Sequence, residues 1–459
     1  MKRAGLVGAA LLIAGIPLAG IPAEKNSKDQ KKQTSKDIPL MMDAVSASDD
    51  FQCMELLAFP TDTSVQIHLI PRRDMELSVQ YGAGTLDQQT PPVTVRGGEP
   101  HIFRIENLKP DTEYVYRIEG ETHRFHTARP AGSTFTFAVQ ADPHLDENSS
   151  LTVYSNTLNS IASARPDFLI DLGDSSMVDK LPEKNNESIT ARHLLMRNWY
   201  GKAAHSVPLF MVPGNHDGEQ GWMFDGTDKN TAVRATNIRK QFYPVAPDGF
   251  YSSAAPDEKF CGTVRSYYAW TWGDALFVVI DPYRYMAQKT GKKTDGWGFT
   301  LGETQYRWLR ATLENSTAKY KFVFGHQLVG GDEQGRGGAE RADWFEWGGR
   351  DPDGKYRFDE KRPRWGKPIH QLFVDTGVNV YFHGHDHFYA RQEKDGVIYQ
   401  LVPQPALENS KTPGHAAEYG YTTGDIRGGS GFVRVTVSPD GYEMELVQSE
   451  SPRKGGKKR

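Results

Sequence analysis

The stretch VNVYFHGHDHFYAR, residues 378–391, joins a run of β-branched and aromatic residues to Gly384-His385-Asp386-His387. Its first half reads as a buried strand, a short apolar run rich in Val, Tyr and Phe. Its second half delivers imidazole and carboxylate groups at the strand's carboxyl end. The same construction occurs four more times upstream. FTFAVQ (135–140) leads to Asp142-Pro143-His144, DFLIDL (167–172) to Gly173-Asp174, PLFMV (208–212) to Gly214-Asn215-His216-Asp217, and KFVF (321–324) to Gly325-His326. In open α/β sheets functional groups gather beyond the carboxyl ends of the strands, so these clusters read as parts of one composite site.

The residue types point to cations. Imidazole suits Zn, Fe or Mn, carboxylate favours harder ions, and the mixture fits a pair of transition metals. Taken singly, each histidine has a plain alternative as a surface or packed residue. Asp174 could cap a turn, and Asn215 could occupy one that needs left-handed backbone. Taken together in one order, the clusters are expected to hold metal. Glycine beside Asp174, Asn215, His326 and His385 fits the close backbone approach such a site needs.

The order D-x-H, G-D, G-N-H-D, G-H, G-H-D-H resembles the calcineurin-like metallophosphoesterase superfamily. VNVYFHGHDHFYAR is particularly similar to its purple acid phosphatase branch, and the resemblance runs from roughly Phe135 to Val447. It implies an α/β (α+β) four-layer αββα sandwich holding two metal ions. By the same resemblance Asp142, His144 and His387 would hold the first metal, Asn215, His326 and His385 the second, and Asp174 would bridge them. Two cations about 3.5 to 4 Å apart acidify a water between them and clamp phosphoryl oxygens, so no side-chain nucleophile is needed. His216 resembles the histidine that protonates the leaving alkoxide, and Asp217 is expected to orient its ring.

The chain departs from the purple branch at two places. The first motif ends in His144 where that branch has glycine, and Met177 stands where it has a metal-bound tyrosine. Thioether is a poor ligand for Fe(III), so the visible charge-transfer band is expected to be absent. Fe/Zn, Mn/Mn and Zn/Zn all remain open. The expected activity is phosphomonoester hydrolysis; phosphodiester or nucleotide hydrolysis on the same centre is the alternative, and a catalytically silent surface-binding relative is another.

Around this core the organisation is expected to be a signal peptide over 1–23, a polar lead-in over 24–49, a small sandwich over 50–130, the catalytic domain over 131–449 and a basic tail over 450–459. Lys2 and Arg3 precede an apolar, small-residue stretch, the pattern of an export signal, which places the enzyme in the periplasm or outside the cell without stable membrane insertion after cleavage. SVQIHLI, HIFRIENL and EYVYRIEG alternate apolar and polar residues and resemble a fibronectin type III-like sandwich, most clearly in Leu108-Lys-Pro-Asp-Thr-Glu-Tyr-Val-Tyr116. Its expected role is packing on the catalytic domain or flanking the cleft.

A formal net charge of −4 over 459 residues gives no basic field for nucleic acid; the resemblance implies a small-molecule phosphoester as the partner, with oligomeric state left open. Cys53 and Cys261 either pair or stay as separate buried thiols. RSYYAWTWGDALFVVID (265–281) reads as a hairpin in the core. Asp146 and Asp386 are candidates to support ligating imidazoles by sequence proximity. His383 is expected to pack, as are His123, His126, His193, His205 and His370. Trp222, Phe224, Arg234, Arg341, Trp344, Trp347 and Arg350 lie in long loops that could form the substrate pocket.

Overall fold

The structure is a computed structural model that describes residues 48–250, 257–289, 295–408 and 414–449. The expected signal segment, the basic tail and almost all of the lead-in lie outside the described residues.

Nine strands build the N-terminal region: β1 (Phe51–Ala58), β2 (Val65–Pro71), β3 (Met75–Leu77), β4 (Gln80–Gly82), β5 (Gln88–Gln89), β6 (Val93–Val95), β7 (His101–Ile105), β8 (Glu113–Arg117) and β9 (His123–His126). They form antiparallel sheets ordered β1-β2-β7 and β5-β4-β8-β9, with β3 paired to β6. This is a fibronectin-like sandwich. Leu57, Val65, Ile67, Leu69, Tyr116 and Phe125 fill the space between its sheets.

The catalytic region places two mixed sheets face to face. The first contains β10 (Phe135–Gln140), β11 (Phe168–Asp171), β12 (Leu209–Met211), β22 (Gly431–Ser438) and β23 (Gly441–Gln448), ordered β12-β11-β10-β22-β23. A separate two-stranded ribbon pairs β13 (Asp257–Glu258) with β14 (Gly262–Thr263). The second sheet contains β15 (Tyr268–Trp272), β16 (Ala275–Val279), β17 (Tyr320–Phe324), β18 (Val380–His383), β19 (Tyr389–Lys394), β20 (Val397–Leu401) and β21 (Asp425–Arg427), ordered β15-β16-β17-β18-β20-β19-β21. Strands β10, β11 and β12 run parallel, as do β16, β17, β18 and β20. The expected hairpin is present, with β15 and β16 antiparallel around Gly273.

Alternation along these strands explains the layers, since successive side chains point to opposite faces. Phe137, Val139, Phe168 and Phe210 meet Trp270, Phe277, Phe322 and Phe382 between the sheets. Ala138, Leu169 and Leu209 point the other way, onto helices α1 (Leu151–Ala164), α2 (Asn186–Ala204) and α3 (Thr231–Phe242). Leu276, Val278 and Val323 point outward onto α4 (Glu303–Glu314) and α5 (Ile369–Thr376). The helices on the first sheet begin at side-chain caps: Ser150, Asn185 and Asn230 accept from Val153, Ser188 and Val233. The result is the four-layer αββα sandwich.

The small sandwich docks on α2. Strand β2 is buried along its whole length, and Cys53, Leu56 and Ile70 pack against Leu195, Met196 and Trp199. Cys53 and Cys261 are both buried free thiols. Of the two alternatives, the structure therefore has the unpaired one.

Candidate metal centre

The carboxyl ends of β10, β11, β12, β17 and β18 converge at one edge of the double sheet, and each hands over a short loop. Those loops are stitched together by their own polar atoms. The His385 N–H donates to Asp142 Oδ2 at 2.9 Å and the His216 N–H to Asp174 Oδ1 at 2.6 Å. The Asp142 N–H donates to the Gly173 carbonyl at 3.1 Å and the His144 N–H to the Asp174 carbonyl at 3.2 Å. Glycine permits this closeness: a Cβ on Gly384 would lie 2.5 Å from Asp142 Oδ2, and one on Gly214 would collide with the Asp174 backbone.

Backbone strain concentrates on the same residues. Asp142 (φ 56°), His144 (φ 53°), Asp174 (φ 55°), His385 (φ 73°) and His387 (φ 67°) are all left-handed. Non-glycine residues hold that conformation only where their surroundings impose it, and such positions gather at functional sites.

Two triads result, Asp142-His144-His387 and Asp174-His326-His385, each with one ligand atom per residue within 4.8 Å of the others. Asp142 Oδ1 lies 3.7 Å from His144 Nε2, 3.5 Å from His387 Nε2 and 3.6 Å from His326 Nε2. Asp174 Oδ2 lies 3.2 Å from His326 Nε2 and 3.8 Å from His144 Nε2, so Asp174 reaches toward both groups. Asn215 sits beside them, its Oδ1 3.4 Å from the Tyr283 hydroxyl, whose ring in turn lies against His326.

The donor atoms fit cations. Asp142 Oδ1, His144 Nε2 and His326 Nε2 are buried with no hydrogen-bond partner. Leaving buried polar atoms unpaired costs about 1–3 kcal/mol each, more for charged groups. Facing atoms of this kind, aimed at one another, are what a metal would satisfy. The second ring nitrogens are supported in the manner of metal ligands: His326 Nδ1 meets the Leu172 carbonyl at 2.7 Å, and His385 Nε2 the Gln334 carbonyl at 3.1 Å.

Electrostatics point the same way. Burial works against the charged form of Asp142, yet His326 and His387 hold its carboxyl well below the usual range. Asp174 is likewise buried and is depressed by His326 and His216. Burial disfavours protonation of the two imidazoles most enclosed by these anions, but the carboxylates raise His144 to about 9 and His326 to about 10. The site is a buried concentration of negative charge that demands positive charge.

Several sequence expectations need correction. Asp217 does not orient His216. Its carboxylate accepts from the backbone N–H groups of Asp174 (3.1 Å), Ser175 (2.9 Å), Ser176 (2.9 Å) and Gly214 (2.8 Å), tying the two loops together. The ring is held instead by Asp179, whose Oδ1 lies 2.9 Å from His216 Nδ1, leaving Nε2 toward Asp174 Oδ2 at 3.9 Å. Asp386 supports no ligating imidazole either. It accepts from Arg336 (2.9 Å), Gly337 N–H (3.1 Å) and Tyr421 (2.7 Å). Asp146 does stand by His144, 3.4 Å from Nδ1. His383 is buried and stacked on Tyr381.

The loop residues proposed for substrate mostly pack elsewhere. Trp347 is core, donating to Tyr399; Arg341 lies over Trp344 and Arg350 over Tyr356; Trp222 packs on Tyr283 and Phe224 under Arg284. Arg234 donates to the Lys184 carbonyl. An open cleft of about 740 Å³ borders the triads and is lined by His144, His216 and His387 together with Lys180, Arg336 and Tyr419. No residue of the small sandwich lines it. Sequence reading missed Asp179, Lys180, Arg336 and the buried Arg192, which donates to the carbonyls of His144, Leu145 and Ser176. Of these only Arg336, inside the glycine-rich stretch, carried a signal.

Comparison with known proteins agrees with this construction. Residues 135–389 match the calcineurin-like phosphoesterase family. No curated protein matches the sequence. Among solved structures, PhoD is similar over 88% of this chain and 91% of its own, at 14% identity and a TM-score of 0.63. The purple acid phosphatase PPD1 from yellow lupin (Lupinus luteus) seeds is similar over 87% of this chain and 73% of its own, at 14% identity and a TM-score of 0.57. At such identities these likenesses establish a shared fold.

Proposed function

The chain belongs to the calcineurin-like phosphoesterase family, and from that premise we propose that it is an exported phosphatase, a phosphomonoesterase working with two metal ions. The observation that carries the reading is the pair of facing triads, in which Asp142 Oδ1, His144 Nε2 and His326 Nε2 are buried without hydrogen-bond partners. Asp142, His144 and His387 would hold one ion, His326, His385 and Asn215 the other, with Asp174 between them. Such ions, when bound, polarise phosphoryl oxygens and acidify water.

The chain's own residues supply the rest. Asp179 accepts the Nδ1 proton of His216 and so fixes the ring with Nε2 turned toward the triads, where a proton can pass to a departing alkoxide. Asp217 and Arg192 hold the loops that present the ligands. Export rests on the charged and apolar pattern of the first 23 residues, and the mature N-terminus found by mass spectrometry checks it.

A second reading, phosphodiester hydrolysis, is favoured by the cleft, whose volume of about 740 Å³ leaves room for a second ester group. Metal analysis of the purified protein together with hydrolysis of nitrophenyl phosphate and bis-nitrophenyl phosphate decides the matter. About two metals per chain with monoester preference is the expected result; diester preference selects the second reading, and no restorable metal refutes both. His216→Ala should slow alkyl esters on the order of 10²-fold and nitrophenyl esters less, since a good leaving group needs little protonation.

A further inference from the structure

The cleft beside the triads is charged unevenly. Most of its charged walls are already engaged: Arg336 with Asp386 at 2.9 Å, Asp146 near His144 at 3.4 Å, and Glu408 as acceptor from Ser150 at 3.0 Å. Lys180 differs. It lines the same cleft, is exposed, and its ammonium has no ion pair or hydrogen bond among the described residues. It closes the single helical turn Val178–Lys180, whose middle residue, Asp179, holds His216. On the same flank the Lys289 ammonium lies 3.9 Å from Asp179 Oδ2, with its side chain 60% exposed.

Position gives this cation a meaning. With His216 facing the departing oxygen, the atoms attached to that oxygen lie on the His216 side of the cleft, beside Lys180. We infer that Lys180 is a specificity-determining residue that recognises a second anionic group, a carboxylate or a further phosphoryl group, on the leaving portion of the substrate. The inference rests on the phosphomonoesterase reading above. Lysine suits the task, because a point charge on a flexible stem reaches anions at varied distances. Glu408 on the cleft lining repels an anion from its own wall and so sharpens the preference.

Two esters with the same two-carbon leaving group test it: ethyl phosphate, without a second charge, and 2-phosphoglycolate, with a carboxylate. The readout is the ratio of their kcat/KM values within each variant, which a general loss of activity does not move. The wild-type enzyme should favour phosphoglycolate, and less so at high salt. Lys180→Ala should cut the ratio about three- to fivefold, the size of one exposed ion pair. Lys180→Glu should reduce it about tenfold or more by placing like charges together, and Lys180→Arg should largely keep it. A wild-type enzyme indifferent to the carboxylate, or a Lys180→Glu enzyme with an unaltered ratio, overturns the inference while leaving ester hydrolysis intact. Failure to hydrolyse either ester, with metal bound, overturns instead the reading on which it rests.

Discussion

Two arginines on α2, Arg192 and Arg197, are both buried, one beneath the metal loops and one beneath the small sandwich. Arg192 donates from Nε to the Ser176 carbonyl at 2.9 Å, from Nη1 to Leu145 at 3.0 Å and from Nη2 to His144. Arg197 donates from Nη1 to the Phe242 carbonyl, while its Nε and Nη2 have no hydrogen-bond partner. The carbonyls that Arg192 gathers belong to loops with left-handed residues at Asp142, His144, Leu145, Asp174 and Met177. Arg197 faces strand β1, where it feels the Cys53 thiol and the Glu55 carboxyl. Burial of charge alone therefore does not mark function. Burial of a charge bonded to strained backbone does, because the bonds help hold a conformation the loops would otherwise leave.

That contrast is tested most severely by replacing Arg192 with methionine. Removing it should free the His144 and Ser176 carbonyls and let the two ligand loops relax. Metal affinity and kcat/KM should each fall about 10–100-fold, the usual cost of losing a group that supports ligands rather than binds metal. Titration of the apo protein with Zn(II) or Mn(II) reads this directly. Wild-type affinity would mean that the loops hold themselves and that the two arginines are equivalent.

The same contrast explains what could be read before the structure. The residues of the triads were legible because each follows an apolar run and carries its chemistry in a two- to four-residue motif. Asp217 was misplaced by adjacency: one residue from His216 in sequence, its side chain turns inward onto four backbone N–H groups. Asp179 and Arg192 had no local signature, since an aspartate in a short turn and an arginine inside a helix look like surface residues until the chain folds. The aromatic loop residues misled for the opposite reason. Trp347 resembles a binding residue in sequence and is a buried part of the outer helical layer.

Arg197→Met should give a smaller effect of opposite sign. A charge with two unpaired nitrogens is desolvated for little return, and methionine matches much of its volume, so the protein should gain about 1–3 kcal/mol. Urea unfolding measures the change, and metal content should remain that of the wild type. A loss of more than about 3 kcal/mol would show that the guanidinium is a required tie between the sandwich and α2.

The smallest effect belongs to His193, which sits beside Arg192 on the same helix and tests the protonation state of this interior. The ring is buried, packed on Tyr243, and neither nitrogen has a hydrogen-bond partner. Burial, with the nearby Arg239 and Arg192 and against the pull of Glu219, lowers it to about 3. In the unfolded chain the same imidazole titrates near 6.5, as histidine ordinarily does. Between those values the unfolded state holds a proton that the folded state does not, so this residue makes stability fall as pH drops below about 6.5. The slope it contributes approaches about 1.4 kcal/mol per pH unit. His68 and His205 are also depressed by burial and act in the same direction, as do the depressed carboxylates Asp142 and Asp174. They remain in a His193→Asn variant, so the difference between variant and wild type isolates one group. Unfolding free energies compared at pH 6.5 and pH 5 should show a shallower decline in the variant; parallel declines would mean that His193 already carries its proton in the fold, and that α2 keeps a third buried cation beside its two arginines.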